Sequence, residues 1–250
     1  MSKSFLNPVS SMIALLDQIP TENKIRKMLR KIIYRSHLFC PRCHSRKVHT
    51  SEQRYRCRRC RKPFSLLSGT WLHDLKLSLR TFWSLLWCWT QRVPVSQTQK
   101  LCHVSEGAVR HWFQQFRLHL PQFEPILQGQ IQMDEAYFRS LSLVMAKQVG
   151  SRHVAHAVVF KNFVDKHDAA HFLFQYVEPN SQLQTDGAGI YRGIENWWQV
   201  RHRTDIHRRW EFGLTSEIEG LFGNLRTFIR RMYHHVTPEY LPEMVAEFSL

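Results

Sequence analysis

Apolar residues recur at helical spacing through the first half of the chain and at alternating spacing through much of the second. Ile25, Met28, Leu29, Ile32 and Ile33 share one face of a segment from about Lys24 to Arg35, with Pro20-Thr21-Glu22-Asn23 before it as a capping sequence. Leu79, Phe82, Trp83, Leu86, Trp87 and Trp89 mark a buried helix within Leu77 to Gln91. A shorter helix opens at Pro94-Val95-Ser96 and runs through Leu101, and another opens at Val104-Ser105-Glu106-Gly107 and runs to about His119. With Ser105 as N-cap and Arg110, His111, Gln114 and Arg117 on the second helix, the pair has the outline of a helix-turn-helix. An ordinary helical hairpin packing through Val109, Trp112, Phe113 and Phe116 would need the same apolar residues.

The stretch Pro121 to Gln130, with proline, glycine and little charge, reads as a domain boundary, and beyond it the pattern becomes mixed. Gln130 to Phe138 alternates as a strand, Ser140 to Val149 suits a second, and His153 to Lys161 is a third, rich in β-branched residues. Asp165 to Val177 has helical spacing through Ala169, Phe172, Leu173 and Tyr176. A short strand over Gln182 to Thr185, a helix over Ile190 to Trp197, a strand around Gln199 to His202 and a long helix from about Ser216 to Tyr233 complete the series. Three strands, helix, strand, helix, strand and final helix is the order of a ribonuclease-H-like α/β domain. The expected organisation is therefore α+β and multidomain: a helical segment over 1–36, a cysteine-bearing finger over 37–72, a helix-turn-helix-like region over 73–125 and a ribonuclease-H-like domain over 126–250.

Charge divides the chain the same way. Residues 1 to 130 carry 22 Lys and Arg against 6 Asp and Glu, while residues 131 to 250 carry 13 against 14. A basic front half suits a phosphate-rich partner, and a near-neutral back half suits another task, such as chemistry. The apolar run Met12 to Leu16 is too short for a secretory signal and lacks a small-residue cleavage site. Phe82 to Trp89 falls far below the roughly 20 residues that span a bilayer. A cytoplasmic, nucleoid-associated protein with reduced thiols and no membrane partner is expected.

Cys40, Cys43, Cys57 and Cys60 stand as two Cys-x-x-Cys pairs, the spacing of a zinc ribbon in which four thiolates close the coordination shell of a structural Zn2+. Two disulfides are the alternative, but six cysteines in 250 residues is sparse for a secreted disulfide scaffold. Cys88 and Cys102 have no close cysteine partner in sequence and read as core thiols, and His44 and His49 read as surface residues of the ribbon. Nine basic residues lie between Arg42 and Lys62, among them Arg54, Arg56, Arg58, Arg59, Arg61 and Lys62, against the single acid Glu52. A nucleic acid is the obvious polyanion for such a finger.

Three carboxylates fall where the α/β domain can use them: Asp134 in the first strand, Asp186 at the end of the fourth, and an acid in the first turns of the last helix. Hard oxygen ligands suit Mg2+ or Mn2+, and a two-metal site holds its cations roughly 3.5 to 4 Å apart. With ordinary values of about 4, such carboxyls ionise at neutral pH without special tuning. Glu135 follows Asp134 on the opposite strand face, so only one of them is expected to share a cleft with Asp186. Glu217 and Glu219 stand about 200° apart around the helix, and geometry alone leaves the choice between them open.

The segment Ile218-Glu219-Gly220-Leu221-Phe222-Gly223-Asn224-Leu225-Arg226 resembles the terminal-helix signature of DDE-type insertion-sequence transposases, whose last acid is followed seven residues on by lysine or arginine. That phase favours Glu219, followed by Arg226, over Glu217, followed by Asn224. The likeness covers almost the whole chain and points to the ISXO-type group: the Cys-Pro-x-Cys ribbon, Ser68-Gly69-Thr70 before a Trp-rich helix, Asp134-Glu135, and Thr185-Asp186-Gly187. Ser216 stands where the family often has asparagine, Arg226 where it usually has lysine, and relatives tend to continue past Leu250. The resemblance implies a metal-binding triad of Asp134, Asp186 and Glu219, with Arg226 on end DNA or the scissile phosphate. It further implies binding of terminal inverted repeats, metal-dependent cleavage and strand transfer into target DNA, and a homo-oligomer when two ends are synapsed. The alternatives are a non-catalytic DNA-binding relative, or a nuclease or junction resolvase on the same fold.

Overall fold

The computed structural model describes residues 19–51, 54–121, 125–205, 214–234 and 237–249. The run Met12 to Leu16, Glu52 and residues 122–124 of the Pro121–Gln130 stretch lie outside the described residues. The chain forms two compact units, Met1–Val109 and Arg110–Leu250.

In the first unit, α1 (Glu22–Tyr34) buries Ile25, Leu29 and Tyr34, whereas Ile32 is 66% exposed, so its inner face is narrower than the periodicity suggests. Thr21 makes no side-chain cap. Glu22 instead accepts from the backbone N–H groups of Leu79 and Arg80, at 3.2 and 2.9 Å, and so satisfies the orphan donors of α2 (Leu79–Thr90) together with Ser78, which caps Thr81 N. Between these helices, β1 (Val48–Ser51), β2 (Arg54–Cys57) and β3 (Pro63–Phe64) form an antiparallel three-stranded sheet. After the short β3 the chain turns. Gly69 has φ +82°, and a Cβ there would stand 2.7 Å from Pro41 Cβ, so the turn packs on the first cysteine knuckle as only glycine allows. After α2 comes α3 (Val95–Cys102). It brings Cys102 Sγ to 4.0 Å from Cys88 Sγ, so these two thiols are neighbours rather than separate core residues.

α4 (Glu106–Leu118) carries the chain into the second unit, where β4 (Gln130–Phe138), β5 (Leu141–Gln148) and β6 (Val154–Val159) form an antiparallel meander. α5 (Lys166–Tyr176) leads to β7 (Gln182–Thr185) and β8 (Arg201–Thr204), both parallel to β4, giving the order β6-β5-β4-β7-β8 with β4 at the centre. α5 begins in a reciprocal box: Asp165 accepts from Asp168 N at 3.0 Å and Asp168 from Asp165 N at 2.9 Å. Its Phe172, Leu173 and Tyr176 pack with Ile131, Met133, Val144 and Leu183 in one continuous core. The helix expected over Ile190–Trp197 is instead two 3-10 turns, Gly189–Tyr191 and Ile194–Asn196, because Gly193 between them takes φ +70° and interrupts the helical path. α6 (Ser216–Tyr233) packs on β4 and β5 through Ile218, Phe222, Leu225 and Ile229, and α7 (Leu241–Phe248), absent from the sequence reading, packs on α6 and β6.

Candidate functional site

Alternation along β4 sorts its side chains between the two sheet faces. Ile131 and Met133 enter the core shared with α5, so Gln132 and Asp134 face α6. In the parallel register Gln132 is level with Gln184, and the same offset carried two residues on sets Asp134 level with Asp186, just past the end of β7. Glu219 lies in the opening turns of α6, where Thr215 Oγ1 donates to its Oε1 at 2.9 Å. Burial first, and then the charges of Glu135, Asp186 and Glu219, push the Asp134 carboxyl up to about 6, against the pull of the Glu135 amide donating to it at 2.8 Å. Asp186 and Glu219 thus both act on Asp134. The ordinary carboxylate value expected from sequence does not hold for Asp134, because its strand position is half-buried among negative neighbours.

Glu135 faces the other side, as expected, where Tyr137 Oη donates to it at 3.1 Å and the fully buried Tyr191 Oη also donates. Burial first, with repulsion from Asp186, raises its carboxyl despite those two phenols. Asp186 therefore acts on both Asp134 and Glu135. Asp186 lies just past the end of β7, and its charge reaches both carboxyls although Asp134 and Glu135 face opposite sides of the sheet. Asp186 Oδ1 accepts from Ala188 N at 3.0 Å, and its carbonyl accepts from Thr185 Oγ1 at 2.8 Å, the hydroxyl in turn meeting His202 Nε2 at 2.8 Å.

The two helix glutamates are separated by their partners. Lys147 on β5 pairs with Glu217, whose carboxyl is lowered first by that bond, and Gly150 N reaches the same side chain at 3.4 Å. Glu219, by contrast, contributes to the charge around Asp134. Arg226, two turns on and nearly in phase with Glu219, is exposed. Sequence reasoning missed Gln132, Thr215, Tyr191 and Lys147. Only Gln132 carried a signal, as a polar residue in phase with Asp134 on a strand.

In the ribbon, the sulfurs of Cys40, Cys43, Cys57 and Cys60 all lie within 4.8 Å of one another, with Cys40–Cys60 at 3.7 Å and Cys43–Cys57 at 3.6 Å. Sulfurs about 2.3 Å from a tetrahedral zinc stand ~3.8 Å apart, so the donor set fits a structural zinc. Amides of Cys60 and Arg59 hold the Cys57 thiol down to about 6, while Cys43, against the pull of the Ser45 amide, is pushed up to about 11 by burial and the other three thiols, so without a metal the four sulfurs share their protons unevenly. Among the described residues no group of three or more carboxylates comes as close together as these sulfurs. Arg54, Arg56, Arg58, Arg59, Arg61 and Lys62 are all exposed, as is Arg110 on α4.

Arg117 departs from its expected place on DNA. It is 8% exposed, its guanidinium donating to Tyr233 Oη at 2.9 Å and pairing with Glu243 and Glu247, each at 3.4 Å. A side chain held by two carboxylates inside its own unit is not available to a phosphate.

Residues 126–249 match the ISXO2-like transposase domain, and residues 20–63 match the transposase zinc-ribbon domain. The chain belongs to the ISXO2-like transposases. An uncharacterized protein in the transposable element ISH50 of Halobacterium salinarum is 25% identical over 126 residues, 48% of this chain and 43% of that protein. The transposase chain thus spans less than half of that relative's length. Among solved structures, a simian T-cell lymphotropic virus intasome in complex with a PP2A regulatory subunit matches at 14% identity and TM-score 0.35, covering 66% of each chain. The catalytic core domain of BIV integrase matches at 16% and 0.34, covering 49% of this chain and 80% of that one. The matched transposase domain contains the Asp134, Asp186 and Glu219 segments, and the matched ribbon domain contains Cys40, Cys43, Cys57 and Cys60. No helix among the described residues is long and apolar enough to cross a membrane.

Proposed function

We propose that this chain is a DNA transposase that binds the ends of its own element, cleaves there and joins the freed 3′ ends to target DNA. The observation that carries the reading is the convergence of Asp186 and Glu219 on the half-buried Asp134, from two parallel strands and the helix over them, with Arg226 in phase beyond. Strand order β6-β5-β4-β7-β8 around a central β4 supports a ribonuclease-H-like domain. Asp134 with the carboxyls of Asp186 and Glu219 acting on it is a donor set for Mg2+ or Mn2+, since a divalent cation relieves the crowding of charge at Asp134 and hard oxygens are its preferred ligands. When bound, such cations supply activation of the attacking oxygen and stabilisation of the leaving oxygen. The residues hold and aim: Thr215 fixes one oxygen of Glu219, the Ala188 amide fixes one of Asp186, and Arg226 offers a cation to a phosphate.

The exposed arginines of the ribbon hold duplex DNA through its phosphates, and Arg110, exposed on α4 in the helix-turn-helix-like region, contributes to reading the ends. The finer division into 37–72, 73–125 and 126–250, the cytoplasmic location, and a homo-oligomer when two ends are held together belong to the same reading.

The test is a labelled element end incubated with supercoiled plasmid and Mn2+. Wild-type protein should join the label to plasmid, whereas Asp134→Asn, Asp186→Asn and Glu219→Gln should abolish joining while still shifting the end in a gel. Glu217→Gln should stay active, because Glu217 is spent on Lys147. Joining by all three triad variants would overturn the assignment. A wild-type protein that only shifts or only nicks DNA would favour a binding protein or a nuclease.

A further inference from the structure

We propose that Gln132 is the positioning residue of the carboxylate site, one buried amide setting the spacing among the three segments that carry Asp134, Asp186 and Glu219. The inference rests on the metal site proposed above. Gln132 is 3% exposed, and its Oε1 accepts from two backbone donors at the start of α6, Glu217 N at 2.8 Å and Ile218 N at 3.0 Å. Its Nε2 faces Gln184 Oε1 on β7 at 3.5 Å, a longer bond. Gln132 itself and its partners Gln184 and Glu217 each lie two residues from one of the three acids. In the strands, two residues return the chain to the same face. In the helix, Glu217 N lies one half-turn before Glu219.

The first turn of a helix has N–H groups with no intrahelical partner, and these are ordinarily met by the N-cap side chain. Here Thr215 makes no such cap, its hydroxyl being given to Glu219, and the capping oxygen comes from the centre of the sheet. The bonds that begin α6 are therefore the bonds that tie it to β4. An amide suits this place better than a carboxylate or an apolar group. Its oxygen takes both helix donors, its nitrogen serves Gln184, and it adds no charge beside an Asp134 already crowded by three others.

The experiment measures Mn2+ affinity by calorimetry on zinc-loaded full-length protein, together with metal-free melting curves. Gln132→Leu should weaken Mn2+ binding roughly 10- to 100-fold, the range seen when partners of metal ligands are removed. Gln132→Glu keeps the acceptor for both helix amides, though it gives up the donor to Gln184 and adds a charge near Asp134, and should lose less Mn2+ affinity than Gln132→Leu. Mn2+ affinity unchanged in Gln132→Leu, or lost equally in Gln132→Glu, overturns the role of Gln132. Should Gln132→Leu not fold, Gln132→Asn decides alone: its amide is one carbon too short to reach the first amides of α6, so a tenfold loss of Mn2+ affinity supports the role and near-wild-type affinity overturns it. Wild-type protein that binds no Mn2+, or Asp134→Asn binding as well as wild type, overturns the metal site and this proposal with it.

Discussion

In the ribbon, Arg54, Arg56, Arg58, Arg59, Arg61 and Lys62 all face solvent, while in the second unit Arg117, Lys147 and Lys161 are each held by acids of that same unit. Arg117 is buried against Glu243, Glu247 and Tyr233; Lys147 pairs with Glu217; Lys161 bridges Asp165 and Asp168 at 2.6 and 2.8 Å. The difference shows that formal balance hides two uses of charge. The ribbon's cations face solvent, whereas Arg117, Lys147 and Lys161 tie together helices and strands of the second unit, and Lys147 separates Glu217 from the acids around Asp134. One arginine can thus be a phosphate contact and another a structural bolt, and only burial and partners tell them apart.

The comparison breaks most completely at the ribbon's metal. One zinc per chain is expected by elemental analysis, and Cys57→Ser or a strong chelator should remove it and unfold the finger. A four-thiolate zinc contributes on the order of 10–16 kcal/mol of apparent folding free energy, far more than a 20–30-residue finger can recover by packing. The second unit should keep its own melting transition. Wild-type protein without zinc, or Cys57→Ser with full zinc content, would refute the ribbon assignment.

Next in size is Arg117→Ala. Removing the guanidinium leaves Glu247 buried beside Tyr233, whose hydroxyl donates to Glu247 Oε2 at 2.6 Å, and an uncompensated buried charge costs about 3–5 kcal/mol. Chemical denaturation of the second unit should show a loss of that order, with the salt dependence of DNA binding unchanged in protein that remains folded. A stable Arg117→Ala protein with selectively weakened DNA binding would return Arg117 to the DNA surface.

The fate of Arg117 also marks where the sequence stops being readable. Its partners Glu243 and Glu247 lie more than 120 residues away on α7, a helix of eight residues whose pattern is too short to stand out. The ribbon was readable because its ligands fall within 21 residues and each pair is local. The strands were readable because alternation is local too, and Asp134 and Asp186 followed from being placed on them. The choice between Glu217 and Glu219 was not, because periodicity sets them about 200° apart without saying which side meets the sheet. That is decided by Lys147 on β5 and by Gln132 on β4, contacts 70 or more residues distant in sequence. Cys88 and Cys102 looked unrelated for a similar reason, since nothing in their 14-residue spacing says that α2 and α3 turn back on each other.

The smallest expected effect gives the finest test of outward-facing charge. Arg58 is exposed in the second knuckle, its backbone N donating to Lys47 O at 2.7 Å, so Arg58→Ala removes a cation while leaving the ribbon's hydrogen bonds intact. Melting temperature and zinc content should not change. Binding to all duplex DNA should weaken evenly, and the slope of log K against log salt should become shallower by about 0.9, the release of counterions for one phosphate contact. Arg110→Ala, on the exposed face of α4, should instead reduce the preference for element ends over competitor DNA at fixed salt. If the two variants lose specific and non-specific binding in the same proportion, the helix does not read sequence. End recognition would then have to come from a surface other than the one that α4 exposes.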